Sequence, residues 1–183
     1  MKTTVLIKKV LSVVIFYLLG GVRSARFLGV DVGERCRIYT LNFGSEPFLI
    51  KIGNRVTLTS GVKILTHDGA AWLMRDIKGR RFKYQKVIIG NNVFVGVNSI
   101  IMPGVIIEEN IIVAAGSVVT KSIPSGSIVA GNPAKIIGKF DDLKNKALFE
   151  FVSENELEMT LPYKERVLAA LTQTSKNFMS NNE

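Results

Sequence analysis

The sequence predicts a mainly β protein, a parallel β-helix with helical segments at both ends. Its central observation is a branched aliphatic residue at every sixth position of the middle segment: Ile89, Val95, Ile101, Ile107, Val113 and Val119. Three positions after each of these stands a residue that favours a turn or a left-handed backbone: Asn92, Asn98, Gly104, Asn110, Gly116 and Ser122. A helix needs apolar residues three and four apart, so a period of six favours short strands joined by corners.

Small or aliphatic residues also lie two positions before each member of the first series: Val87, Val93, Ser99, Val105, Ile111 and Ser117. Because alternate residues of a strand share a face, both series are predicted to point inward. Three such hexads make one triangular coil, and coils stack about 4.8 Å apart. The same register recurs earlier, with a phase slip at 42–47 that predicts a bulged corner, and it stops after Ala134. We therefore expect the β-helix over residues 29–139.

The N-terminal segment, residues 1–28, is predicted to be helical. Its uncharged stretch, residues 10–22, is too short to cross a ~30 Å hydrocarbon core as a helix. Lysines and arginines flank this stretch on both sides. The segment is therefore expected either to pack on its own domain or to lie on a membrane surface, near anionic headgroups.

A loop interrupts the repeat at residues 68–86, because Ile64 and Ile89 are separated by one hexad plus 19 residues. A loop this long inside a regular solenoid is typically functional. After the repeat, residues 140–183 carry apolar residues at helical spacing near 143–151 and 167–171. They predict one or two helices that cap the last coil, followed by a polar tail at 175–183.

The composition of the 183 residues, with 47% apolar and 21% charged residues, is that of a globular protein. One Cys excludes an internal disulfide, and one His excludes a metal site that needs several imidazoles, so no metal is expected. The net charge of +9 divides into +12 over residues 1–139 and −3 over residues 140–183. Since no aromatic-basic motif accompanies this charge, nucleic acid is not an expected partner.

Residues 50–137 resemble the hexapeptide-repeat acyltransferases, in particular the sugar and polysaccharide O-acetyltransferases. The residues that carry the resemblance form five blocks, at 42–47, 64–69, 87–96, 114–121 and 130–135. The resemblance implies a left-handed coil, acetyl-CoA as the acyl donor, and a homotrimer with active sites between neighbouring chains.

The only histidine, His67, lies at the entrance of the 68–86 loop and is the candidate general base. Acyl transfer from a thioester to a hydroxyl needs a base with a pKa near 7, and an imidazole supplies one. Its second ring nitrogen is expected to be held by Asp68, by Glu46 or by a backbone carbonyl. Asp68 could equally be a turn residue, and Glu46 could bind the acceptor or be solvated. With no evident nucleophile, direct transfer is expected.

The resemblance also suggests positions that bind the substrates. Ala115 and Ser117 match small residues that line the pantetheine groove, and Thr120 and Lys121 match further coenzyme A contacts. Lysines after the last hexads, Lys135 and Lys139, could bind the 3′-phosphate or simply be solvated. Two residues are candidates for the acceptor site: Asn42, and Trp72, whose alternative role is to anchor the loop.

These features predict an acetyl-CoA-dependent O-acetyltransferase acting on a sugar hydroxyl of a surface polysaccharide or its precursor. It is expected in the cytoplasm, with a possible peripheral contact at the inner membrane face through residues 1–28. One alternative is a small-molecule acetyltransferase of the same fold, acting on a nucleotide-sugar amine, serine or a xenobiotic. The other is a β-helix that serves as a scaffold without catalysis.

Overall fold

The computed structural model describes residues 2–171, and its central part is a three-sided coil of short strands. The first face holds β1 (Asp31–Val32), β3 (Ile50–Ile52), β8 (Val87–Ile89) and β11 (Ile106–Ile107). The second face holds β2 (Arg37–Ile38), β4 (Thr57–Leu58), β9 (Val93–Val95), β12 (Ile111–Val113), β14 (Ser127–Gly131) and β15 (Ala134–Lys139). The third face holds β5 (Lys63–Ile64), β10 (Ile100–Ile101) and β13 (Val118–Val119).

Strand pairing is parallel on all three faces, with one exception at the end of the coil. Each strand pairs with the strand one coil away, as Ile101 does with Ile64 and with Val119. The exception is β15, which pairs antiparallel with β14 after the chain reverses at Gly131. These features confirm the predicted parallel β-helix, which is left-handed.

Side chains from the six-residue repeat fill the interior of the coil. All six aliphatic residues of the first series are at most 1% exposed, and their partners two positions earlier are at most 2% exposed. Burying each large aliphatic side chain stabilises the fold by about 1.5–3 kcal/mol. Five of the six corner positions have a positive φ, and only Ser122 does not. Its hydroxyl instead accepts a hydrogen bond from the backbone N–H of Ile106 at 3.0 Å.

Two helices, not one, form the N-terminal segment: α1 (Lys2–Leu19) and α2 (Gly21–Leu28). The break is at Gly20, whose φ of 92° is incompatible with a continuing helix. Helix α2 packs on the first coil, where Ala25 is fully buried and Arg26 donates hydrogen bonds to the carbonyl oxygen of Val32.

Helix α1 contacts α2 through a buried hydrogen bond, which Ser24 Oγ donates to the Ser12 carbonyl oxygen at 2.7 Å. Its other sides carry large apolar residues that are exposed: Leu6, Ile7, Val10, Leu11, Val13, Val14, Tyr17, Leu18 and Leu19. Helix α2 thus packs on its own domain, which is one of the two predicted alternatives. Helix α1 keeps an exposed apolar surface, and its contact with a membrane stays a prediction. Among residues 2–171, no helix is long and apolar enough to cross a membrane.

The loop at 68–86 leaves the coil as predicted. It contains a 3-10 helix (Gly69–Leu73) and a short hairpin of β6 (Arg75–Asp76) and β7 (Gly79–Arg80). The bulged corner predicted at 42–47 has a positive φ at Gly44 and leads into a second 3-10 helix, Pro47–Leu49.

A separate unit begins at Leu143, within helix α3 (Phe140–Glu150). It continues with a 3-10 helix (Glu154–Glu156) and helix α4 (Tyr163–Ala169). Helices thus form where the apolar spacing predicts them, whereas their role as a cap on the last coil stays a prediction. The predicted tail at 175–183 lies outside the described residues.

Candidate active site

His67 lies where the chain leaves the coil. It follows β5 at the corner between the third and first faces, at a position where most hexads of the middle segment carry Asn or Gly. Unlike most of those residues, His67 does not have a positive φ. Its backbone instead pairs antiparallel with Tyr84, on the returning end of the 68–86 loop. The loop therefore fixes the backbone of His67, while 40% of its side chain stays exposed.

Glu46 contacts the ring of His67, with 2.8 Å between Oε2 and Nδ1. The same oxygen accepts a hydrogen bond from Thr66 Oγ1 at 2.7 Å. The bulged corner produces this arrangement, because Asn42 of the first coil pairs with Lys63 of the second. Glu46 comes four residues after Asn42, and His67 comes four residues after Lys63. The two side chains therefore lie side by side.

The electrostatics of Glu46 determine which nitrogen of His67 carries the proton. Burial raises the pKa of Glu46, but the hydrogen bonds from His67 and Thr66 and the charge of His67 outweigh it and hold the pKa below its ordinary value of 4.5. Glu46 is therefore ionised at neutral pH and can only accept hydrogen bonds. In the neutral ring of His67, Nδ1 must then be the protonated nitrogen, and the lone pair of Nε2 is available to accept a proton.

Asp68 has a different role in the structure. Its Oδ1 accepts a hydrogen bond from the backbone N–H of Ala70 at 3.0 Å and so caps the first 3-10 turn of the loop. Of the three groups considered for holding His67, it is Glu46 that contacts Nδ1. The contact of Asp68 fits the other role predicted for it, that of a turn residue.

A ladder of stacked side chains extends from His67 along the loop, and we call it the loop ladder. The ring of Tyr84 meets the His67 ring edge-on, with centroids 6.1 Å apart, and Phe82 stacks on Tyr84 at 6.0 Å. The guanidinium group of Arg80 lies 4.4 Å from the centroid of Phe82 and 4.6 Å from that of Trp72. Trp72 thus contacts another residue of its own loop while staying 61% exposed, and its roles as a loop anchor and as an acceptor contact both stay predictions.

Sequence reasoning missed Thr66, Phe82 and Tyr84. The signal for the last two was the alternation of Arg80, Phe82 and Tyr84, which places their side chains on one face of an extended segment. For Thr66 no signal existed, because its contact with Glu46 depends on how two coils stack.

The residues suggested for coenzyme A lie at several places on the coil. Ala115 is exposed at the corner between the second and third faces. The side chain of Ser117 is fully buried, and its hydroxyl donates a hydrogen bond to the Ala114 carbonyl oxygen at 2.7 Å. A buried hydroxyl with this partner leaves only the backbone of Ser117 to contact a ligand, and its place in the pantetheine groove stays a prediction.

The remaining candidates are exposed. Thr120 and Lys121 follow β13 at the corner between the third and first faces, the same kind of corner that His67 occupies two coils away. Lys135 and Lys139 lie on β15, the outer strand of the second face. Asn42, suggested for the acceptor, is exposed at the bulged corner.

Comparisons with known proteins agree with this architecture. A family model described as "hexapeptide repeat of succinyl-transferase" matches residues 86–121. Protein CapG of Staphylococcus aureus is 46% identical over 156 residues, which cover 83% of this chain and 88% of CapG. Galactoside O-acetyltransferase of Escherichia coli is 31% identical over 97 residues, covering 53% of this chain and 47% of that enzyme.

Among solved structures, a hexapeptide-repeat acetyltransferase of Vibrio cholerae in complex with acetyl coenzyme A superimposes with a TM-score of 0.54. It is 25% identical to this chain, and the match covers 61% of each of the two chains.

Proposed function

The chain belongs to the hexapeptide-repeat acyltransferase family, and on that premise we propose that it acetylates a sugar hydroxyl of a surface polysaccharide or its precursor. The acyl donor is acetyl-CoA. The observation that carries the proposal is the contact of His67 Nδ1 with Glu46 Oε2 at 2.8 Å. This contact leaves Nε2 of the only imidazole available to take a proton from an acceptor hydroxyl.

Transfer proceeds directly from donor to acceptor. Nε2 of His67 takes the proton of the hydroxyl as its oxygen forms a bond to the thioester carbonyl carbon. The resulting tetrahedral intermediate then collapses with cleavage of the carbon–sulfur bond, and His67 returns the proton to the departing thiolate. Glu46 stabilises the positive charge that His67 carries between these two steps.

A homotrimer completes the site. In one chain, Ala115 and His67 lie at different corners of the coil, with the third face between them. A neighbouring chain that turns its Ala115 corner toward His67 brings donor and base into one cleft. A threefold arrangement closes this head-to-tail contact into a ring.

The loop ladder and the similarity to a galactoside O-acetyltransferase support a carbohydrate acceptor. Exposed aromatic rings such as that of Trp72 offer an apolar face for a sugar ring. The exposed apolar side chains of α1 support a peripheral membrane contact, because the flanking Lys and Arg residues favour anionic headgroups.

Release of free thiol from acetyl-CoA tests the proposal against a panel of polysaccharides, oligosaccharides, nucleotide sugars and amines. We expect glycan-dependent thiol release and a product that mild base hydrolyses, as an ester requires. Turnover with amine acceptors alone, giving a base-stable amide, would contradict O-acetylation and would favour the small-molecule alternative.

A further inference from the structure

A groove of about 760 Å³ lies between α1 and the bulged corner of the first coil, and we call it the α1 groove. Its walls are largely apolar and include Val13, Leu28, Leu41, Pro47, Phe48 and Leu65. Phe48 is 72% exposed, so the groove opens beside an unpartnered aromatic side chain. A space of this size and character suits a hydrocarbon chain.

Three lysines also line the groove: Lys8, Lys9 and Lys63. Its lining contains no aspartate or glutamate, and residues 1–30 contain five basic and no acidic residues. Lys8 Nζ donates a hydrogen bond to the Leu28 carbonyl oxygen at 3.3 Å. In the described part of the chain, neither Lys9 nor Lys63 forms an ion pair. The groove is therefore suited to a ligand that is both apolar and negatively charged.

The groove is next to the proposed base. Ser45 and Pro47 line it, and Glu46, which lies between them in the chain, contacts His67. A ligand held by the lysines thus lies against the segment that carries the carboxylate of the catalytic pair.

We propose that the α1 groove binds a polyisoprenyl phosphate, the lipid carrier of a membrane-linked glycan acceptor. The apolar walls hold the first isoprene units, and the lysines bind the phosphate. This inference rests on the proposed function, because it specifies the form in which the carbohydrate acceptor is presented. A water-soluble nucleotide sugar would leave the apolar walls unused. A second copy of the chain would bring two segments of charge +5 together.

Cosedimentation of the full chain with vesicles tests this site without any acyl transfer. Phosphatidylcholine vesicles carrying decaprenyl phosphate are compared with vesicles carrying phosphatidylglycerol at matched surface charge. The double variant Lys9→Glu/Lys63→Glu is paired with Lys144→Glu/Lys164→Glu, an equal charge reversal outside the groove. Lys9→Arg/Lys63→Arg retains the charge, and circular dichroism verifies that each variant is folded.

We expect the wild-type chain to bind decaprenyl phosphate vesicles about tenfold more tightly than phosphatidylglycerol vesicles, a difference of about 1.4 kcal/mol. The groove reversal removes this preference, whereas Lys9→Arg/Lys63→Arg and Lys144→Glu/Lys164→Glu keep it. Equal binding to both vesicle types would show a general anionic surface contact and overturn the proposal. So would a preference that survives the groove reversal, or a groove closed by a second copy of the chain. The vesicle experiment contains no acetyl-CoA and so does not depend on acyl transfer. If the vesicles show no preference but thiol release depends on a glycan, lipid binding in the groove is refuted and the proposed function stands.

Discussion

The Nδ1 atom of His67 lies 2.8 Å from Oε2 of Glu46, although 21 residues separate them in the chain. The two residues belong to successive coils, and the bulged corner sets the register in which they meet. The same carboxylate oxygen accepts a hydrogen bond from Thr66, the residue before His67. This second bond also fixes the orientation of the carboxylate.

The tautomer of His67 follows from this contact. Because the chain has one histidine, ¹⁵N-histidine labelling gives the signals of a single imidazole. We expect the neutral ring to carry its proton on Nδ1 and to leave Nε2 unprotonated. The matched variant Glu46→Ala should lose this preference. A wild-type ring protonated on Nε2 would contradict the assignment.

The stability of the protein should depend on Glu46 in a pH-dependent way. Its pKa in the folded state is below the ordinary value of 4.5, so its contribution is fully present above pH 4.5 and is lost as the pH falls through the folded-state pKa. Glu46→Gln should therefore lower the free energy of unfolding by about 1–3 kcal/mol at pH 7. Chemical denaturation at several pH values would show the gap to wild type narrowing below pH 4.5. A difference in the free energy of unfolding between wild type and Glu46→Gln that widens below pH 4.5 would contradict this pH dependence.

Tyr84 positions His67 through its ring, which predicts different effects for two substitutions. Tyr84→Ala should lower kcat about tenfold or more, because a small displacement of the proposed base would be costly. Tyr84→Phe keeps the ring contact and should restore most of the activity. Lys78→Ala, in the connection between the hairpin strands of the same loop, is the control. Equal losses of kcat for Tyr84→Ala and Tyr84→Phe would show that the contact between the two rings does not position His67.

Neighbouring isoleucines of β11 provide a test of the coil interior. Ile107 is fully buried, whereas Ile106 on the opposite face of the strand is 45% exposed. Ile107→Ala should lower the free energy of unfolding by about 2–5 kcal/mol. Ile106→Ala should cost much less, and equal losses in thermal or chemical denaturation would contradict the hexad register.

The sequence predicted the coil and its interior well, because a period of six with a turn residue in each hexad fits neither a helix nor long strands. The distance in sequence between Ile64 and Ile89, one hexad plus 19 residues, also located the 68–86 loop. The sequence could not decide whether Asp68, Glu46 or a backbone carbonyl holds His67. The contact between Glu46 and His67 depends on how the bulged corner stacks on the next coil. The six-residue period also predicted correctly that the side chain of Ser117 points inward, whereas its suggested place in the pantetheine groove stays a prediction. The division at Gly20 was missed because the apolar stretch runs through it.

Acetyl transfer by His67→Ala is the most direct test of the central claim that His67 is the base. With the acceptor identified by thiol release, kcat should fall by about 10²–10⁴-fold. Acetyl-CoA binding measured by calorimetry should be retained. Asp68→Asn, which alters the loop cap beside His67, should keep most of the activity. A His67→Ala enzyme that transfers acetyl groups at the wild-type rate would contradict the role of His67 as the base.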